Sequence, residues 1–114
     1  MANRTLEQSV EIFIENHYTV KDRDEVFAFL RENSSLGDLL IEEHGHIRQY
    51  FPTSSYHLEL YSDPEFDHDA LVVLIETELT VDEAMNKLEL FDQNCWLDNI
   101  EKAATKLHFN LAYL

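Results

Sequence analysis

The hydrophobic period of the chain changes near its middle. In the first half, Leu6, Val10, Phe13, Ile14 and Tyr18 recur at helical spacing, while Glu7, Glu11 and Glu15 follow four apart on another face. That pattern predicts an amphipathic helix. Asp22 or Asp24 is placed to cap a second helix that turns Val26, Phe27 and Leu30 inward. Ser34 or Ser35 is placed to cap a third, with Leu36, Leu39 and Leu40 inside. Gly45 is its expected C-terminal stop, with 47–51 as an extension that Pro52 closes.

From residue 56 the period drops to two. Tyr56, Leu58 and Leu60 alternate with His57, Glu59 and Tyr61, which predicts a half-buried strand. Residues 62–69 read as an acidic loop. Leu71-Val72-Val73-Leu74-Ile75 is apolar on both faces, as a central strand is. Thr80-Val81-Asp82-Glu83 has the form of a capping box. Val81, Ala84, Met85, Leu88 and Phe91 then make the expected buried stripe of a helix. Leu107, Phe109, Leu111 and Tyr113 alternate with His108, Asn110 and Ala112 in a last strand. The expected fold class is α+β: N-terminal helices followed by β-β-α-β, a small, mostly antiparallel sheet with helices packed on one face. A hydrophobic final strand at a sheet edge would suit pairing with a second copy, so a homodimer is one expectation.

Composition narrows the class. The 114 residues suit one domain, 1–114, and 45 % of them are apolar, enough for a core without metal or disulfide. No apolar run approaches the roughly 18 residues of a membrane span, and the N-terminal segment lacks the apolar stretch of a secretory signal. Cys95 is the single cysteine, so no intrachain disulfide forms. A cytoplasmic location follows as an expectation. The two glycines, Gly37 and Gly45, form no phosphate-cradling motif, which argues against nucleotide-dependent chemistry. No cofactor is expected.

Charge changes the picture most. Acids outnumber bases 23 to 8, for a formal net charge of −15. From Glu59 to Asp92 the acids are Glu59, Asp63, Glu65, Asp67, Asp69, Glu76, Glu78, Asp82, Glu83, Glu89 and Asp92, against one base, Lys87. Such a chain repels nucleic acid and anionic lipid and attracts basic proteins or cations. Asp63, Glu65, Asp67 and Asp69 have the alternation of a calcium loop, but His68 stands where its glycine belongs and Leu74 where its bidentate Glu belongs. The pattern therefore reads as an acidic loop.

His44 and His46, beside Glu42 and Glu43, are the candidate metal ligands. On an extended segment both rings point one way; on a helix they diverge. His57 and His108 fall on one sheet face near Glu59, Tyr61 and Asn110, a polar surface with acid–base groups. Cys95 has no basic neighbour to activate it. Trp96 is either a partner anchor or a core plug, and core packing is the commoner use of a large aromatic.

Tyr50-Phe51-Pro52, Ser62-Asp63-Pro64-Glu65, Glu76-Thr77-Glu78-Leu79, Glu83-Ala84, Leu90-Phe91-Asp92 and Trp96-Leu97 together resemble a group of small bacterial proteins over about residues 36–114. No activity is known for that group, so the resemblance carries over no functional residue. Small proteins of this kind sometimes sit beside toxin genes.

The leading functional expectation is a non-enzymatic interaction module that binds a basic protein, as an antitoxin or a DNA mimic does. Its expected contacts are Glu59, Asp63, Glu65, Asp67, Asp69, Glu76, Glu78 and Trp96. The alternatives are a small metal-dependent or His/carboxylate enzyme, and a structural subunit of a homo-oligomer.

Overall fold

The computed structural model describes residues 2–62, 69–103 and 105–112, with side chains described from Gln8 onward. Helix α1 (Ala2–His17) leads into a two-residue strand β1 (Thr19–Val20), then α2 (Arg23–Glu32) and α3 (Ser34–Tyr50). A hairpin of β2 (Ser55–Ser62) and β3 (Asp69–Glu76) follows. Helix α4 (Val81–Phe91) continues through a widened π turn (Asp92–Trp96) and a 3₁₀ turn (Leu97–Asn99) into the short α5 (Ile100–Ala103). Strand β4 (Leu107–Ala112) comes last. The fold is α+β, and no described helix is long and apolar enough to cross a membrane.

The sheet order is β1-β2-β3-β4. The expectation of a mostly antiparallel sheet is corrected: the sheet is mixed. Only β2 and β3 run antiparallel, while β1 pairs parallel with β2 and β4 parallel with β3. The β3–β4 relation follows from its connection, because a helical crossover returns the chain to the end where it started. β1 escapes the hydrophobic pattern because two residues are too few to show a period. The apolar β3 does sit inside the sheet, hydrogen-bonded on both sides, and β4 lies at the edge.

Register places Tyr56–Ile75–Leu111, Leu58–Val73–Phe109 and Leu60–Leu71–Leu107 in rows on one face. Most of these residues are buried, and they form the floor of the core. The opposite face carries His57, Glu59, Tyr61, Glu76, His108 and Asn110, interrupted by Val72 and Leu74.

Helix α3 is the centre of the helical layer and touches α1, α2, α4, α5 and the π turn. Its buried residues Leu36, Leu39, Leu40 and Ile47 join Ile14 from α1, Val26, Phe27 and Leu30 from α2, and Phe91 from α4. Tyr18 is buried, and its hydroxyl donates to the Leu40 carbonyl at 2.7 Å. Trp96 and Phe91 meet Phe109 edge-on at 4.8 and 5.1 Å and close the core over β4.

Local signals act differently from their sequence reading. Thr80 does cap α4, its Oγ1 accepting from the Glu83 amide at 3.2 Å. Asp22 stands at the start of α2 with φ 53°, and its backbone carbonyl, not its side chain, receives the first helical amides. Asn33 precedes α3 where a serine was expected, because Ser34 and Ser35 are already helical. Gly45 is no stop. It lies within α3, exposed, and the helix runs on to Tyr50 because Ile47 has a buried place to fill.

The two helical glycines differ physically. A Cβ on Gly37 would stand 2.9 Å from Val10 Cγ1, so α1 and α3 approach closely there. A Cβ on Gly45 would meet nothing within 4 Å. Gly45→Ala is therefore expected to stabilise the protein by about 0.5–1 kcal/mol, the entropic difference between the two residues in a helix. Gly37→Ala should gain less or destabilise, because the stiff Val10 side chain must yield. Urea unfolding of both variants checks the pair, and equal gains would contradict it.

Candidate functional site

The acids of the C-terminal half fall into two groups with different surroundings. On the outer sheet face, Glu59 Oε1 lies 3.3 Å from Lys21 Nζ, and Glu76 Oε2 lies 2.6 Å from His57 Nε2. Asp69 accepts from the Ser62 hydroxyl at 2.8 Å. These three carboxylates already have partners. Glu78 is exposed on the connection to α4. Asp63, Glu65 and Asp67 lie outside the described residues. Two acids of α1 are compensated in the same way: Glu11 pairs with Arg31 at 2.7 Å and Glu15 with Arg23.

The second group is on α4. Asp82, Met85, Glu89 and Asp92 stand three, four and three residues apart, which is one helical stripe. With Asn86 and Leu88 they line a surface groove of about 590 Å³. No salt bridge to any of these three acids occurs among the described residues. Partial burial, and then the neighbouring Glu89, push the Asp92 carboxyl above its ordinary pKa. A cation placed in the groove would relieve that crowding.

The apolar side of α4 departs from the expected stripe. Ala84 and Phe91 are buried, but Val81 is 53 % exposed and Met85 57 %. Met85 is therefore not a core residue. The five positions form a stripe of ordinary width, but β4 and α3 cover the edge holding Ala84 and Phe91, leave Leu88 half-buried, and do not reach Val81 and Met85. Beyond α4, Leu90, Leu97 and Ile100 are also exposed. Scattered exposed apolar residues are ordinary, but Met85 lines an acid-rimmed groove.

The remaining candidates separate. Trp96 is only 6 % exposed and packs on Phe109, so its ring serves the core. His44 and His46 are both in α3, where their rings diverge. His44 points into a ring cluster of Phe13, His17, Tyr18 and Tyr56. His46 Nδ1 lies 3.5 Å from Glu43 Oε1. Among the described residues, no three His, Cys, Asp or Glu side chains gather as metal ligands. His57 and His108 share a sheet face but are separated by β3, roughly 10 Å across two strand spacings. The His108 ring turns instead to the Thr105 carbonyl at 2.9 Å.

One polar constellation had no clear sequence signal. Glu43 is fully buried on α3 and accepts from Asn99 Nδ2 at 2.7 Å. Its Oε2 and His46 Nδ1 have no hydrogen-bond partner among the described residues. Burial raises the Glu43 pKa, while His46 and Asn99 act in the opposite sense. A carboxyl raised in this way stabilises the fold fully at pH values below its unfolded pKa, and that contribution is lost as pH rises through the folded value. Gln in its place keeps an oxygen for Asn99 and carries no charge. Glu43→Gln is therefore expected to gain stability relative to the parent as pH rises from 4 to 8, by about 1 kcal/mol or more. Denaturant curves at both pH values measure the difference; a pH-independent offset would contradict it.

Compared with known protein families, curated proteins and solved structures, the chain finds no significant match.

Proposed function

We propose that this protein is an interaction module whose groove on α4 docks a basic, amphipathic segment of a partner protein. The observation that carries the reading is the joining of exposed apolar surface to unpaired negative charge. Met85 supplies the apolar contact, and Asp82, Glu89 and Asp92 surround it. A segment with apolar residues on one face and Lys or Arg beside them complements both features. A second copy of a chain with net charge −15 would bring acid against acid there. The sheet-face acids Glu59 and Glu76 contribute to the general field, but their own partners occupy them. The binding class is that of an antitoxin or a DNA mimic, in which charge speeds the encounter and apolar contact holds the complex.

A synthetic amphipathic Leu/Lys helix is the probe. Titrated against the protein and followed by the backbone amide NMR signals of α4, it should bind saturably. Affinity should fall about tenfold or more between low and high salt, since exposed charges are screened. The double reversal Asp82→Lys/Glu89→Lys should abolish binding, and Met85→Gln should weaken it about tenfold. Reversal of the fully exposed Asp24 on α2 should leave it nearly unchanged. Equal loss in the Asp24 variant would reduce the effect to net charge and overturn the assignment to α4.

A further inference from the structure

A second concavity, which shares no lining residue with the α4 groove, has the opposite electrostatic character. The end of α1, the C-terminal half of α3 and the start of β2 enclose a cleft of about 410 Å³. His17, His44 and Arg48 all line it. The one carboxylate on its wall, Glu15, is paired with Arg23. Arg48 makes no ion pair or hydrogen bond among the described residues. In a chain with only 8 Lys and Arg, an uncommitted guanidinium beside two imidazoles is a local inversion of charge.

His44 supplies an independent sign of a ligand. The residue is 6 % exposed, yet neither ring nitrogen has a hydrogen-bond partner among the described residues. Nor are those nitrogens sealed away, as Glu43 Oε2 and His46 Nδ1 are. Rings of Phe13, His17, Tyr18 and Tyr56 hold the imidazole on its sides at 4.7–5.5 Å between centroids. What remains open to it is the cleft. Burial, then His17 and Arg48, lower its pKa to about 4, so near neutral pH it presents one N–H and one lone pair.

His17 fixes the other half of the pattern. Its Nδ1 is 2.8 Å from the Phe13 carbonyl, which only accepts, so Nδ1 carries the proton. In the neutral ring Nε2 is then an acceptor. The cleft thus offers a fixed cation, an N–H from His44 and, when its ring is neutral, a lone pair from His17. The hydroxyls of Ser54 and Ser55 add donors at its rim.

We propose that this cleft binds a phosphate monoester in its singly protonated form. Arg48 meets the charged oxygens, His44 donates to one of them, and the P–OH donates to His17 Nε2. A sulfate or carboxylate satisfies Arg48 and His44 but has no proton to give a neutral His17. Tyr18 and Tyr56 have committed their hydroxyls to the Leu40 and Phe51 carbonyls, so they serve as walls for the organic part. The site is independent of the α4 groove and stands whether or not that groove binds a protein.

The test is an NMR titration of the histidine ring nitrogens with inorganic phosphate, phenyl phosphate and sulfate, each at pH 6.5. Both phosphates should shift His17 and His44 saturably, and sulfate should bind about fivefold more weakly for want of one hydrogen bond. Arg48→Gln, at an exposed position with no partner to lose, should weaken phosphate binding about tenfold. Absence of saturation, equal response to phosphate and sulfate, or an unchanged titration in Arg48→Gln would each overturn the proposal. Preference for phenyl phosphate over inorganic phosphate identifies the ester; the reverse order would overturn that part and leave free phosphate as the ligand.

Discussion

The structure depends on how helix α3 is held. It contacts every other described helix of the chain, and its apolar residues complete the core above the sheet. Yet the same helix buries two consecutive polar side chains, Glu43 and His44. Residues one apart on a helix point about 100° from each other, so they enter different surroundings. Glu43 is satisfied in part by Asn99 from the turn after α4, and His44 is enclosed by rings from α1 and β2. The helix is thereby fixed in rotation from two sides. A turn of α3 about its axis would withdraw the Glu43 carboxyl from Asn99 and expose the aromatic cluster. Apolar packing supplies most of the free energy, and these polar contacts select one orientation among those that packing would allow.

That arrangement also explains the distribution of charge. The chain has few bases, and where they pair, most pair near the N-terminal half: Lys21 with Glu59, Arg23 with Glu15, Arg31 with Glu11. Such surface pairs contribute little individually to stability. Their consequence is geometric, because they leave α4 with uncompensated acids while the outer sheet face and α1 are largely neutralised. A high net charge spread evenly would serve solubility alone. Here the compensation is uneven, and among the uncompensated acids Asp82, Glu89 and Asp92 share a groove with the exposed Met85.

Much of the architecture was legible because it rests on periodicity. The alternation in 56–61, the apolar run at 71–75 and the capping box at Thr80 each became the element they predicted. What failed was information that periodicity does not hold. Two residues, Thr19 and Val20, suffice for a strand once β2 lies beside them, and no pattern announces that. Strand direction is set by connections in space, so a mixed sheet looked antiparallel. Gly45 reads as a stop only if the helix has nothing further to bury, and Ile47 lies beyond it. The stripe on α4 was drawn wider than its neighbours could cover. The acidic spacing Asp82–Glu89–Asp92 around Met85 was the signal that this residue faces outward.

The candidate sites show the same limit in chemical terms. Acidity was visible as a run along the chain, but the proposed docking turns on acidity without a partner, which depends on where the bases fold. Glu59 and Glu76 lost their prominence once Lys21 and His57 were found beside them, and neither partner is near in sequence to its acid. The histidines carry the complementary lesson. His44 drew notice for its neighbour His46, two residues on, although two-residue spacing separates side chains on a helix. The spacing behind the proposed cleft site is His44 to Arg48, one turn apart, with His17 brought in by α1. A helix reads its own sites at three and four residues, and a third group must come from another element. A sequence can thus propose the pair, while the fold decides whether a third group meets it.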